Sequence, residues 1–165
     1  MNLQEATKRI TLEYIKTGCE GYQKLLQYIN GDMSGNLILY DTKVSYLPKR
    51  LKVGGDLDLY GTRITSLPEG LKVGGHLYLR YTNITSLPKD LKVSGDLDLN
   101  NTPITSLPKG LIVHGGLNLC KTQITTLPED LKVGGCLYLF FTPISKKYTE
   151  KQLKQMLPNV KSIEF

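Results

Sequence analysis

The chain has 165 residues, 40% of them hydrophobic and 22% charged, with a formal net charge of +6. These are the proportions of a soluble protein, and no apolar run approaches the roughly 20 residues that cross a bilayer as a helix. The positive charge is spread through the sequence rather than gathered in a tail, which gives nucleic acid little support as a partner. Cys19, Cys120 and Cys136 are odd in number and lack metal-ligand spacing, so free thiols are expected, and neither a metal nor a cofactor.

Residues 1–32 read as a helical N-terminal cap. Leu3, Ala6, Ile10 and Tyr14 fall at helical spacing, Gly18 interrupts, and Tyr22, Leu25, Leu26 and Ile29 resume the pattern before Asn30-Gly31-Asp32 turns the chain. The first turns mix Lys8, Arg9 and Lys16 with Glu5 and Glu13, which is not the pattern of a secretory signal. With free thiols, this makes the cytoplasm the expected compartment.

From 33 to 145 one 20-residue unit is written repeatedly. Leu47-Pro48 returns at Leu67-Pro68, Leu87-Pro88, Leu107-Pro108 and Leu127-Pro128. Between these pairs recur an L-x-V stretch (Leu51 and Val53, through Leu131 and Val133), a Gly (Gly55 to Gly135) and an L-x-L triplet (Leu57 and Leu59, through Leu137 and Leu139). A Thr (Thr62 to Thr142) and an Ile (Ile64 to Ile144) complete the unit, and a partial copy at Met33, Gly35, Leu37, Leu39, Thr42 and Val44 makes six rungs. A unit this short cannot bury an apolar face alone, so the copies must stack into a solenoid. Alternation at period 2 predicts extended structure in each rung, and the Pro column blocks helix. The Thr hydroxyls are expected inside, donating to a carbonyl of one rung and accepting an amide from the next.

Residues 146–165 read as a C-terminal cap. Thr149-Glu150-Lys151-Gln152 is a capping-box pattern opening a helix through Leu153, Met156 and Leu157; Pro158 stops it, and Val160, Ile163 and Phe165 suit a last strand. Both ends are expected to cover exposed terminal rungs, leaving one structural domain.

The unit Leu57-Asp58-Leu59-Tyr60-Gly61-Thr62-Arg63-Ile64 and its counterparts resemble the core signature of leucine-rich repeat proteins, with Thr where that family has Asn. The Leu-Pro pair and the 20-residue length are similar to the short class of bacterial and phage-type proteins, including effectors. The resemblance implies a parallel-strand, mostly β solenoid of six rungs with a helical N-terminal cap and a short helical C-terminal cap, and a surface for holding a partner rather than a common chemistry. The absent Asn and the added L-x-V stretch, which suits a second parallel sheet, keep a parallel β-helix as the alternative.

Because the L-x-L leucines face the core, the residues beside them face out, and the resemblance makes that strand face the binding surface. Three variable columns occupy it: Asn36, Asp56, His76, Asp96, Gly116 and Cys136; Ile38, Asp58, Tyr78, Asp98, Asn118 and Tyr138; and Tyr40, Tyr60, Arg80, Asn100, Cys120 and Phe140. In-register stacking would set Asp56, His76 and Asp96 about 4.8 Å apart on consecutive rungs. Aromatic and acidic residues without a lysine form the composition of an interface centre, so a protein partner is expected there. The candidate partner-binding residues are Tyr40, Asp56, Asp58, Tyr60, His76, Tyr78, Arg80, Asp96, Asp98, Asn118, Tyr138 and Phe140.

Two rival readings stay open. Lys52, Lys72, Lys92 and Lys132 form a stripe that could track a phosphate backbone, although Ile112 interrupts it, Glu69 and Glu129 stand near it, and no stacking aromatic alternates with it. Asp58 and Asp98, two rungs apart at roughly 9 to 10 Å, could act as a carboxylate pair on a polysaccharide, as in some parallel β-helix enzymes. Tight rungs provide no long loops to wall a cleft, and no nucleophile or phosphate-cradling motif occurs, so a non-enzymatic protein is the expectation.

Overall fold

A computed structural model describes residues 3–165. Asn2, at the start of the expected helical segment, lies outside the described residues, as does the side chain of Leu3. Two helices, α1 (Leu3–Thr17) and α2 (Glu20–Asn30), precede the repeat. Gly18, at φ 62, turns the chain between them. Their apolar faces meet at Ile10, Tyr22, Leu25 and Ile29, all buried in the same core as the rungs. Among the described residues no helix is long and apolar enough to cross a membrane.

The repeat forms a parallel β-solenoid. Each L-x-L triplet contributes a short strand: β1 (Leu37–Ile38), β3 (Leu57–Asp58), β5 (Leu77–Tyr78), β7 (Leu97–Asp98) and β9 (Leu117–Asn118). The L-x-V stretches contribute β2 (Lys52–Val53), β4 (Lys72–Val73), β6 (Lys92–Val93) and β8 (Ile112–Val113). In the last rung both stretches fuse into one strand, β10 (Lys132–Tyr138), which joins the two ladders into one sheet. Pairing is parallel and shifts by one repeat per rung, so like lies on like: Leu57 on Leu77 on Leu97 on Leu117, and Val53 on Val73 on Val93 on Val113. The parallel-strand repeat solenoid, mostly β and flanked by helices, stands as expected from the sequence.

The L-x-V column forms a second parallel ladder beside that of the L-x-L column, as the alternative cross-section requires. Backbone amides of Lys72, Gly74 and Gly75 donate to carbonyls of the preceding rung at 3.0, 2.8 and 2.9 Å, just as those of Leu57, Leu77 and Leu97 donate to the following one at 2.9 Å. Exchange of the amides of Lys72, Gly74, Gly75 and Gly95 is therefore expected to be as slow as that of Leu57, Leu77 and Leu97, measured by NMR hydrogen exchange. Fast exchange confined to the first group would describe an open, loosely held arc.

The core is a stack of like layers in which the Leu, Val and Ile columns are buried, except at Leu127, which is half-buried. Thr62, Thr82, Thr102, Thr122 and Thr142 are buried too, but their hydroxyls do not bridge rungs as expected. Each donates to the carbonyl of the Leu three residues earlier in its own rung, at 2.6–2.8 Å, a carbonyl that also accepts the Thr amide. The side chain thus closes a local turn, and neighbouring rungs are tied by backbone instead: Arg63, Asn83 and Gln123 amides donate to the Ile or Val carbonyl one rung back at 3.0–3.2 Å. Local closure wins because the hydroxyl already sits beside its own carbonyl.

The caps answer the open ends of the stack. The Tyr28 hydroxyl of α2 shares its one proton between the carbonyls of Met33 and Gly35 and accepts the Gly54 amide at 3.1 Å, and Gly21 lets the helix approach Thr42 and Val44, which an added methyl would strike. At the far end α4 (Glu150–Met156) opens with the expected capping box, Thr149 with Gln152. After it β11 (Val160–Glu164) pairs parallel with β10 and covers the last rung. A short helix, α3 (Pro143–Lys147), which the sequence reading does not contain, begins at Thr142 as its N-cap.

Candidate functional site

The strand face carries the expected columns in register, but they do different work. Asn36, Asp56, His76 and Asp96 are clips between rungs. Each accepts the backbone amide of its counterpart one rung on: Asn36 Oδ1 from Asp56 at 2.8 Å, Asp56 Oδ1 from His76 at 2.7 Å, His76 Nδ1 from Asp96 at 3.0 Å and Asp96 Oδ1 from Gly116 at 2.6 Å. The side chains lean into the space over the Gly of the next rung; a methyl on Gly75 would meet Asp56 Oδ1 at 2.1 Å and one on Gly115 would meet Asp96 Oδ1 at 2.2 Å. That is why Gly recurs there.

The His76 ring is fixed by this ladder. Because Nδ1 accepts the Asp96 amide, the proton of the neutral imidazole sits on Nε2. The same Nδ1 lies 3.2 Å from Asp96 Oδ2, and it cannot accept the amide and donate to that oxygen at once. The ring also stacks on Tyr78, with centroids 5.8 Å apart and planes at 24°.

The middle column finishes each strand. Asp58, Asp98 and Asn118 accept the amide two residues on, those of Tyr60, Asn100 and Cys120, at 2.9–3.0 Å through Oδ1. Since Asn118 does this as well as the two aspartates, the turn needs an oxygen acceptor and not a charge. Asp98 nevertheless places a carboxyl in a mostly buried position, its side chain 15% exposed, with Arg80 Nε 3.6 Å from Oδ2. Burial pushes the Asp98 carboxyl above its ordinary pKa, against the Asn100 amide and Arg80, which pull it down, while Asp96 adds to the rise. Its contribution to stability is thus fully present below the unfolded value of 3.8 and is lost as pH rises through the folded one. Asp98→Asn, which keeps the acceptor and drops the charge, is expected to match the wild type in melting temperature below that pH and to exceed it at neutral pH. Equal melting temperatures throughout would mean that the carboxylate is fully solvated.

Tyr78, Asp96, Asp98, Asn118 and Tyr138, five of the candidate residues, come together with Gly116 and Cys136 around a cleft of about 360 Å³. Gly116 contributes no side chain and Asp98 and Asn118 are short, so the face dips between the two tyrosines. Asp56, Asp58 and His76 border it on the earlier rungs, and Arg80 leans on Asp98. Tyr40, Tyr60 and Phe140 lie apart from the cleft, exposed along the turn edge of the face. Tyr40 and Phe140 are five rungs from one another, roughly 24 Å, which is the reach of a macromolecular surface and not of one small ligand.

Two residues of this edge escape the column reading. After the third variable column the backbone turns through the left-handed region in every rung, at Asp41, Gly61, Tyr81, Asn101, Lys121 and Phe141, with φ between 54 and 64. Asp, Gly and Asn adopt that conformation readily; Tyr and Phe do so at a cost of about 1–2 kcal/mol. Tyr81 and Phe141 are 47% and 76% exposed, and Tyr81 packs edge-on against Tyr60 with centroids 5.5 Å apart. Strained backbone under exposed aromatics marks them as part of the same surface. The signal was in the sequence: a column holding Asp, Gly and Asn demands positive φ, and aromatic residues there stand out.

The lysine stripe is also in register, Lys52 on Lys72 on Lys92, with Ile112, 43% exposed, before Lys132. All four lysines are exposed. Fold and face together define a capped parallel β-solenoid that displays an acidic, aromatic strand surface. Comparison with known proteins finds no family model that matches the chain and no curated protein that matches it at a significant level.

Proposed function

We propose that this is a non-enzymatic, cytoplasmic protein-interaction module of the leucine-rich-repeat kind, effector-like in its compactness, which holds one protein partner on its strand face and acts by occupying or scaffolding it. The observation that carries the reading is the row of exposed aromatics along one edge of the face, two of them on left-handed backbone, beside an acidic cleft. Five such rings on a solvated edge do nothing for the core, which is filled by the Leu, Val and Ile columns. Aromatic anchors with charges at their border are the composition of energetic centres in protein interfaces.

The carboxylate-pair reading is the weaker one. Tyr78 occupies the position between Asp58 and Asp98 in the same column, where a hydrolytic water would need to stand. Asp58 and Asp98 each spend one oxygen on a turn amide.

The test is comparative capture from the native host. Wild type, a face variant (Tyr78→Ala with Asp98→Ala) and a stripe variant (Lys52→Gln, Lys72→Gln, Lys92→Gln, Lys132→Gln) are immobilised, and the retained proteins are quantified by mass spectrometry. The expected result is a protein retained by the wild type and the stripe variant and lost from the face variant. Retention of nucleic acid by the wild type that disappears only with the stripe variant would replace this reading with the phosphate-tracking one.

A further inference from the structure

We infer that the cleft between Tyr78 and Tyr138 receives a single basic side chain, Arg or Lys, of the partner, an inference that rests on the interaction reading above. Three properties of the cleft point to a cation. The first is its charge. Burial and then the carboxylates of Asp56, Asp96, Asp58 and Asp98 raise the pKa of the Tyr78 hydroxyl, so the wall of the cleft lies in a field of four negative groups. Arg80 is the cation beside Asp98, so four carboxylates stand against one guanidinium in a chain whose total charge is +6.

The second property is unspent acceptor capacity. Asp98 Oδ1 is taken by the Asn100 amide, but Oδ2 has only Arg80 Nε at 3.6 Å, beyond hydrogen-bonding distance. Asp96 Oδ1 is taken by Gly116, while Oδ2 faces the Nδ1 lone pair of His76 at 3.2 Å when the imidazole is neutral. Among the described residues these two carboxylate oxygens therefore have no donor at hydrogen-bonding distance while the imidazole is neutral, Arg80 lying beside Asp98 as an ion pair only, and an ammonium or guanidinium supplies donors and charge together. The turn requires no charge at the Asp98 position, as Asn118 shows one rung on, so the half-buried carboxylate is an expense the fold itself does not need.

Shape is the third. Tyr78 and Tyr138 stand three rungs apart, about 14 Å along the stack, with Asp98 and Asn118 below and no side chain at Gly116 between them. A cleft of about 360 Å³ is at the small end of ligand sites, sized for one long side chain rather than for a helix or a loop. Tyrosine side chains line both ends, and aromatic rings suit a guanidinium, which stacks on them while donating in its own plane to carboxylates.

The experiment is an NMR titration of the full chain with acetyl-Gly-Arg-Gly-amide and, separately, with the same peptide carrying citrulline, the neutral isostere of arginine. Saturable shifts of the Gly116, Leu117 and Tyr138 amides are expected with the arginine peptide and not with citrulline. Asp98→Asn, which keeps its turn hydrogen bond and hence the fold, is expected to weaken that binding about tenfold; Lys52→Gln with Lys72→Gln is expected to leave it unchanged. Equal shifts with citrulline, or unchanged affinity in Asp98→Asn, would overturn the inference. If the peptide fails to bind while partner capture still depends on Tyr78 and Asp98, the cleft assignment falls and the interaction reading stands. If the peptide binds as expected and the face variant captures the same proteins as the wild type, the cleft assignment stands and the interaction reading falls.

Discussion

Gly74→Ala is expected to cost about 3 kcal/mol of stability, read as a fall in the urea midpoint at unchanged slope. A Cβ there would lie 2.1 Å from the carbonyl oxygen of Gly54, one rung back, and 3.0 Å from its carbon. Both atoms are backbone, and the rungs are held at this spacing by the Gly74 amide bonding to Val53 at 2.8 Å. No flexible side chain can yield, so the backbone of this corner must leave its glycine setting for one that holds a Cβ, as at Ser94 and His114 in the same column. Gly35→Ala is the control: nothing lies within 4 Å of its added methyl and its φ is ordinary, so the change is expected to be neutral or to stabilise by about 0.4–1 kcal/mol through the unfolded chain. Equal midpoints for the two variants would mean that the rungs do not stack this closely.

Leu97→Ala is expected to cost about 2–5 kcal/mol. Leu97 is fully buried and lies in register between Leu77 and Leu117, so the cavity is walled by leucines of two neighbouring rungs whose backbones are already bonded in place. They cannot collapse into it. Ile112→Ala, at an exposed position of the same stack, is expected to stay within about 0.5 kcal/mol of wild type. In a solenoid each rung is stabilised chiefly by its neighbours, so a defect in a central rung weakens both halves, and circular dichroism melts of the two variants provide the comparison.

Most of the fold was legible because it follows from one number, the repeat period. A 20-residue unit fixes the solenoid, the L-x-L and L-x-V alternation fixes which residues point in, and Thr149 with Gln152 fixes where α4 starts. What was not legible lies where the simple alternation breaks. The strand reading places Asp56, His76 and Asp96 on the outer face beside the leucines, but the two residues before each of them form a bend. There the side chains turn along the stack and take backbone amides, which period 2 does not foresee. The Thr hydroxyls donate to a carbonyl but do not bridge to the next rung for a related reason: a local turn three residues long outcompetes a bond between rungs. Of the candidate face, the cleft residues follow from their columns, whereas Tyr81 and Phe141 do not, because strand alternation carries no sign of the left-handed turn on which they stand.

The central claim is that the strand face and not the lysine stripe carries recognition. It is tested most directly by the affinity of the captured partner for two variants: one with Ala at Tyr60, Tyr78, Tyr138 and Phe140, the other with Gln at Lys52, Lys72, Lys92 and Lys132. Both sets lie outside the buried core, so both variants are expected to fold. Isothermal titration is expected to show the aromatic set losing about 2 kcal/mol or more, at least a thirtyfold weaker complex, with the lysine set changed by less than about 1 kcal/mol. Loss of binding with the lysine set, and an aromatic set that binds like the wild type, would contradict it.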